Sequence, residues 1–596
     1  MTGTLPFLDE QPQASGPSRT EQATVYVPES RRRPAMGWRL ATVGCGIAVA
    51  MLAIAGKLVL TAAPATVPAA VASAFPGESK QVRMTPTAKE RANLPRARIY
   101  DRNDTLLAFS APTYSLYARP LEVPDAQGTA DALTDAFPGL DEDLIARRLS
   151  RKNDAFVYLA RQLTPAEYYK ALQLGLPGVR AKREYRRVYP QGPLAAHVVG
   201  LTRSDQTAIS GIESFYDASL VDDPDEPMHL SLDARVQAVV RQEVQARIDA
   251  YAADGGAGVV MDVRTGEFLA SVSLPDFDPN RVGQRDPHRE FNRVTSGVYE
   301  LGSVFKPVIA SIALDAGVAN PDSMLDATRP IYAHGFTIKD FHARNRWLSL
   351  REVLVHSSNI GAARLASKIG VERLVDYFGR FGLLAAPSLD VHEVTAPFAP
   401  KKWQELDAMI AAFGYTLAVS PAQFVSTFAA LVNGGTRYNP TFIRLNNPDT
   451  AQGRQVLKPE TSAMVRNLLR QVVLTGTGGN ADTRFYPVGG KTGTALKRNA
   501  DGTSSSDRRI SSFVGTFPID NPRYVVFVMV DEPKEREITG RYATGGKVAA
   551  PAVSRIVDRI APMLGVKPRN ENGDGKGTLR EARAEGLMPA ALTVHN

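Results

Sequence analysis

Ser303 and Lys306, three apart in "YELGSVFKPV" (299–308), offer a hydroxyl and an amine that could react as a pair. A serine hydroxyl is a weak nucleophile until a base takes its proton, and a lysine is a base only where burial or a neighbouring cation keeps its amine neutral. Pro307 is tolerated only around the first turn of a helix, so a helix carrying "SVFKPVIASIALDAG" begins near Ser303. Residues three apart then share one face, and the free N–H groups of that helix start could stabilise an oxyanion at Ser303. Taken alone, the spacing is common in long chains, and its plainer reading is an exposed helix start.

Two later stretches alter that balance. "VHSSNIGAARLA" (355–366) holds Ser357 and Asn359 ahead of a helical run, and "VGGKTGTALK" (488–497) holds Lys491, Thr492, Gly493 and Thr494 on a candidate strand. Singly, the first reads as an N-cap cluster and the second as a Gly-rich turn. Their occurrence in the order Ser-x-x-Lys, Ser-x-Asn, Lys-Thr-Gly favours the reactive reading. Strand alternation sets Thr492 and Thr494 on one face, and Gly493 leaves room for a peptide to lie along the strand as an added strand.

The elements that must position these groups can be read from periodicity. In "SLDARVQAVVRQEVQARIDAYAADGG", Val236, Val239, Val240, Val244, Ile248 and Tyr251 fall on one helical face, with Gly255-Gly256 as the predicted stop. "AGVVMDV" and "EFLASVS" form a hairpin over Arg264-Thr265-Gly266, and "SSFVGTFPI" and "YVVFVMVDEP" a second over 520–523. "AAPAVSRIVDRIAPML" supplies a closing helix. Helix, hairpin, a long helical middle, more strands and a last helix predict an α+β domain: one antiparallel sheet covered by helices from both ends. Upstream, "ARIYDRNDTLLAFSAPTYSLYARP" (97–120) alternates around Asn103-Asp104 as paired strands do, within a domain of mixed strands and helices over about 90–230.

The 596 residues suffice for several structural units, and 44% hydrophobic with 22% charged residues excludes wholesale disorder. A net charge of +8 spread over scattered arginines excludes nucleic-acid binding as the main expectation. Arg183, Arg186 and Arg187, interleaved with Tyr185 and Tyr189, read as a domain contact or solvated surface. With one cysteine, Cys45, no intrachain disulfide is possible, and the scattered histidines lack metal-ligand spacing. No metal or cofactor is expected. The apolar run from Leu40 to Leu60, broken only by Lys57, is long enough to cross a bilayer at ~1.5 Å per residue. Arg31, Arg32, Arg33 and Arg39 precede it, which puts the N-terminus in the cytoplasm and the bulk of the chain outside. The alternative is a cleaved signal peptide, with "AVASA" at 70–74 as its cleavage site.

On these motifs the chain resembles the penicillin-recognising serine transpeptidases, in particular class B penicillin-binding proteins of the septal, FtsI-like type. The resemblance extends through "RARIYDRNDTLLA" (96–108), "FVYLARQL" (156–163), "REYRRVYPQGPLAAHVVG" (183–200), "GIESFYDASL" (211–220) and "VAAPAVSRI" (548–556). It implies the penicillin-binding-protein transpeptidase fold, a five-stranded antiparallel sheet between helices, over 231–566. An elongated pedestal of the dimerisation type would occupy 90–230, with a cytoplasmic arm over 1–36, a single transmembrane anchor over 37–61, a linker over 62–89 and a disordered tail over 567–596. The implied reaction is cross-linking of peptidoglycan stem peptides: Ser303 attacks the penultimate D-Ala carbonyl, terminal D-Ala leaves, and an amine of a second stem peptide resolves the acyl-enzyme. The resemblance makes Lys306 the general base, Ser357 a proton relay held by Lys491, and Asn359 a donor to the substrate backbone. It also makes the N–H groups of Ser303 and Thr494 the oxyanion hole, and Thr492 and Thr494 the binders of the substrate carboxylate. β-Lactams would acylate Ser303. An FtsW-like glycosyltransferase and other division proteins would be the partners, at the division site of the cytoplasmic membrane, with the catalytic domain periplasmic.

Two positions depart from the family pattern. Glu300-Leu301-Gly302 stands where Glu-Pro-Gly is frequent, and Thr416 in "FGYTLAVSP" stands where glycine is common. His356 has no acidic partner in the sequence and reads as structural. Rival outcomes on the same motifs are a β-lactamase or D,D-carboxypeptidase with water as acceptor, a β-lactam-binding sensor or scaffold, and an elongation-type class B transpeptidase.

Overall fold

The computed structural model describes residues 94–569 except 282, 284, 334, 499–503 and 537–541. The expected arm, anchor and linker, and the tail beyond 569, lie outside the described residues. Among the described residues no helix is long and apolar enough to cross a membrane.

Helix α1 (Ala234–Tyr251) precedes strands β1 (Gly255–Asp262) and β2 (Phe268–Leu274). Strands β3 (Gly489–Arg498), β4 (Ser504–Phe517) and β5 (Tyr524–Asp531) follow more than 200 residues later, and helix α2 (Ala550–Met563) closes the domain. They form one five-stranded sheet in the order β3-β4-β5-β1-β2, every neighbouring pair antiparallel. Strand β5 is buried along its whole length, which explains its continuous apolar run. Its alternate residues serve two cores. Val526 and Val528 pack with α1 and α2 through Val240, Val244, Val553 and Ile556. Val525, Phe527 and Met529 face a larger core that contains Phe305, Ile309, Phe424 and Leu469 from the helical middle.

The glycines expected to stop α1 have another role. The helix ends at Ala252, itself left-handed at φ 45°, while Gly255 and Gly256 already belong to β1. A Cβ on Gly256 would lie 2.8 Å from Val244 Cγ1, and one on Gly258 2.4 Å from Val240 Cγ1. Both positions let a valine-faced helix lie directly on the strand.

The N-terminal part is built on one long strand, Leu106–Ala118, paired with Val157–Leu163 and Val179–Val188. The expected turn at Asn103-Asp104 joins this strand to Ile99–Tyr100, which pairs in turn with Met228–His229. Burial splits the basic stretch: Arg183 and Arg186 are exposed, whereas Arg187 is buried. Arg187 Nε donates to Glu213 at 2.6 Å, Arg96 Nε donates to the same carboxylate at 2.8 Å, and Arg96 also reaches Asp217 at 2.7 Å. Glu213 is 0% exposed and thus balances two guanidinium groups in a dry site. Removing one member of such a group strands the others, at a cost of ~3–5 kcal/mol. Glu213→Ala is therefore expected to lower stability by about that amount, read as a fall in Tm, while Arg183→Ala on the exposed edge shifts Tm by less than ~0.5 kcal/mol equivalent.

Candidate active site

Ser303 sits in a 3-10 turn, Gly302–Phe305, and Lys306 opens the α-helix α3 (Lys306–Asp315). The expected helix start is thus tighter than an α-helical turn. In a 3-10 turn side chains three apart are eclipsed, so the Ser-x-x-Lys spacing stacks amine on hydroxyl. Lys306 Nζ lies 3.0 Å from Ser303 Oγ. Pro307 falls in the first turn, where its missing N–H is not needed.

Lys306 is 1% exposed, and its Nζ also meets Ser357 O at 2.5 Å, Asn359 Oδ1 at 2.7 Å and Ser357 Oγ at 3.1 Å. Burial drives its pKa well below the ordinary lysine value; the nearby Lys491 lowers it further, and Asp340 opposes both. A neutral amine has two N–H groups and one lone pair. The two closest oxygens, a peptide carbonyl and an amide carbonyl, can only accept, so they take both N–H groups. The lone pair is left for the hydroxyls of Ser303 and Ser357, which is the arrangement a general base needs.

Ser357 is held between two lysines. Its Oγ lies 3.1 Å from Lys306 Nζ and 3.0 Å from Lys491 Nζ, and its backbone is left-handed, φ 60°. Lys491 is 0% exposed, and burial pushes its pKa down to about 7. Lys491 Nζ further contacts Thr492 O at 3.1 Å and Thr492 Oγ1 at 3.3 Å.

Strand β3 lies at the edge of the sheet. Leu496 N donates to Tyr415 Oη at 3.2 Å, so the main-chain groups of Leu496 point away from β4. The period of two turns those of Thr494 and Thr492 the same way. The outer edge at Thr494 runs beside the nucleophile turn: a Cβ on Gly302, φ 63°, would sit 2.7 Å from Thr494 O. Gly493 faces that turn too, and a side chain there would meet Leu301 O at 2.6 Å and Ser512 Oγ at 2.5 Å. Its lack of a side chain thus seats the Ser303 turn on the strand, a tighter constraint than room for an incoming peptide. The hydroxyls of Thr492 and Thr494 share the other face, on Thr477 Oγ1 at 2.7 Å and Gly545 N at 3.1 Å.

The fold therefore brings Ser303, Lys306, Ser357, Asn359 and Lys491 into one continuous chain of contacts, with Thr492, Gly493 and Thr494 on the adjoining edge. His356 caps its helix and accepts from Arg344 at 3.3 Å, away from that chain of contacts. Sequence reading missed Asp340. Its carboxylate accepts from Ser358 Oγ at 2.7 Å and from the N–H groups of Asn359 at 2.5 Å and Ile360 at 2.9 Å. Lys339 O takes Asn359 Nδ2 at 3.0 Å. These bonds fix the start of helix α4 (Asn359–Ile369) and with it the Asn359 amide. An acidic residue 18 positions before Ser358 leaves no local signal.

A buried amine on a serine, a second lysine behind a shared hydroxyl and an open strand edge are the arrangement that a serine acyltransferase acting on peptides needs. The chain belongs to the penicillin-binding protein transpeptidase family: the penicillin-binding protein transpeptidase domain matches residues 256–558, and the penicillin-binding protein dimerisation domain matches 91–221. Among relatives, it is 39% identical to the probable peptidoglycan D,D-transpeptidase FtsI of Caulobacter vibrioides, over 80% of this chain and 82% of that one. It is 32% identical to the peptidoglycan D,D-transpeptidase FtsI of Escherichia coli K12, over 80% and 85%. Penicillin-binding protein 3 of Mycobacterium tuberculosis, solved in complex with aztreonam, superposes with a TM-score of 0.63 at 25% identity, covering 82% of this chain and 99% of that one.

Asp340→Ala removes the acceptor of two N–H groups and one hydroxyl, and is expected to slow labelling of Ser303 by a fluorescent penicillin about tenfold. Asp340→Asn, which keeps one carbonyl oxygen at that place, is expected to lose less than half of that effect on a logarithmic scale. Equal rates for Asp340→Ala and wild type would remove Asp340 from the site.

Proposed function

We propose that the chain is a peptidoglycan D,D-transpeptidase that cross-links stem peptides through an acyl-enzyme on Ser303 and is inhibited by β-lactams at that residue. The observation that carries this reading is the placement of buried Lys306 on Ser303 Oγ, with Ser357 Oγ joining it to Lys491.

The donor stem peptide lies along the outer edge of β3 with its D-Ala-D-Ala end at Ser303. Lys306 takes the Ser303 proton as Oγ attacks the penultimate D-Ala carbonyl, and the oxyanion forms against the N–H groups of Ser303 and Thr494. Ser357 then passes a proton to the departing D-Ala nitrogen and is recharged from Lys306. Lys491 in its protonated form orients Ser357, and with Thr492 and Thr494 it attracts the terminal carboxylate. Asn359 has its carbonyl end engaged by Lys306 and one N–H by Lys339 O, which leaves the second N–H of Nδ2 for the donor backbone. An amine of a neighbouring stem peptide returns along the same path and resolves the ester.

The relatives' FtsI names support work at the division septum, with an FtsW-like glycosyltransferase and other division proteins as partners. The apolar run from Leu40 to Leu60 supports a single membrane anchor with the catalytic domain on the periplasmic side.

Intact-mass analysis of the full chain after exposure to penicillin tests the acyl-enzyme. One stable adduct, absent in Ser303→Ala, is expected; hydrolysed drug with no adduct would instead mark a β-lactamase. The pH dependence follows from the two lysines. Lys306 must be neutral, so acylation rises with pH through its depressed pKa; Lys491 must be charged, so acylation falls as pH passes about 7. A bell-shaped profile is expected, and Lys491→Arg, whose guanidinium keeps its proton, should lose the falling limb.

A further inference from the structure

Thr416 has a left-handed backbone, φ 69°, a conformation disfavoured for a β-branched residue. Its N–H donates to Glu300 Oε1 at 2.7 Å, and Glu300, three residues before the nucleophile, is only 8% exposed. Thr416, where the family pattern favours glycine, is thus held by Glu300, the neighbour of the other departing position, Leu301.

The segment carrying Thr416 touches both halves of the oxyanion site. On the nucleophile side Gly302 N donates to Gly414 O at 3.1 Å, and Tyr299 and Val419 exchange backbone hydrogen bonds of 2.9 and 3.1 Å. Gly414 is left-handed as well, φ 86°, and a Cβ there would fall 2.0 Å from Gly302 O. On the strand side Tyr415 Oη accepts from Leu496 N at 3.2 Å. Residues 414–416 therefore span from the turn that carries Ser303 to the edge that carries Thr494.

We propose that Gly414-Tyr415-Thr416 is a clasp that sets the gap between Ser303 and the Thr494 N–H, and that Glu300 is the positioning residue holding it closed against the backbone strain at Thr416. The proposal rests on the reading of Ser303 and Thr494 as the acylation site. Glu300 acts through the Thr416 backbone. Its carboxylate stabilises a left-handed residue that a glycine would adopt without help, so the two positions are energetically coupled.

Stopped-flow acylation of the full chain by a fluorescent penicillin separates the dissociation constant of the first complex from the acylation rate constant. Wild type, Glu300→Ala, Thr416→Gly and the double variant make the cycle. Glu300→Ala is expected to lower the rate constant about tenfold, the size of one lost charge-assisted hydrogen bond, with the dissociation constant changed less than about twofold. In the Thr416→Gly background the same change is expected to cost less than about threefold, because no strain remains to be held. Wild-type acylation by Glu300→Ala, or an equal loss in both backgrounds, overturns the proposal. Should Glu300→Ala not fold, Glu300→Gln runs the same cycle with a weaker acceptor: about threefold slowing, relieved by Thr416→Gly, is expected, and no slowing overturns it. If the wild type takes no label, the functional reading fails, and the cycle is read as Tm. A drop for Glu300→Ala that is smaller beside Gly at 416 keeps the contact, whereas equal drops reject it.

Discussion

Two buried amines against one hydroxyl set the terms for everything around them. Carrying two ammonium ions out of water costs several kcal/mol each, and side by side they also repel. Lys306 and Lys491 share Ser357 Oγ at 3.1 and 3.0 Å, so at least one of them has to be neutral. The surroundings decide which. Lys306 is depressed by burial and by Lys491, whereas Lys491 is depressed by burial alone and keeps a value about 7. The amine on Ser303, which the second lysine depresses further, is the one suited to act as a base, and the amine behind Ser357 the one suited to carry charge. Placing Ser357 Oγ between them requires a left-handed backbone at a residue with a side chain, a strain of ~1–2 kcal/mol that the contacts with both lysines offset.

The sheet makes that burial possible. Lys491 comes from edge strand β3, Lys306 from the helix that begins at the nucleophile turn, and Ser357 from the loop between Leu350–Val355 and α4. These pieces meet only because backbone touches backbone at the seams. Gly493 lies against Leu301 O, Gly302 against Thr494 O, Gly414 against Gly302 O and Gly545 against Gly493 O. A methyl group at Gly493 or Gly302 would separate the turn from the strand, and one at Gly414 or Gly545 would push its own segment off the turn or the strand. Such close approach excludes water from both lysines, and it is the exclusion of water that depresses them.

The groups that meet at Ser303 were legible as candidates because their spacing is local: Ser303 to Lys306 is one turn, and Lys491 to Thr494 is one strand segment. The five strands were legible as well, since four of them form two local hairpins, each with its own turn, and the fifth carries the Lys-Thr-Gly stretch. What escaped were contacts whose two halves are far apart in the chain. Asp340 on Asn359 and Glu300 on Thr416 join residues 19 and 116 positions apart, and neither end has a pattern of its own. Gly255-Gly256 was read by the local rule that glycine stops helices, whereas the pressure of Val244 from α1 dictates a small residue at Gly256. The 3-10 turn at Ser303 escaped for a related reason, because Pro307 permits either kind of first turn and the seat on Gly493 selects the tighter one.

The N-terminal part is bound into the same logic through Asp101. One carboxylate oxygen closes the Asn103 turn by accepting from Asn103 N at 2.8 Å and Thr105 N at 2.7 Å. The other accepts from Ala234 N at 2.9 Å, the first residue of α1, so a turn of the N-terminal strands caps the helix that lies on the catalytic sheet. Leu230 adds a backbone bond to Tyr100 O and a bridge to Ile443. Ala97, Ile99 and Leu107 belong to the same apolar cluster as Val304 and Phe305 beside the nucleophile. The root of the N-terminal domain is therefore part of the catalytic core, and the Arg96–Glu213–Arg187 group sits at that root. A buried ionic group adds little net stability over an apolar one. This one ties Arg96, beside the core residue Ala97, to the strand that carries Arg187 through Glu213, so the contacts that leave the core begin next to it.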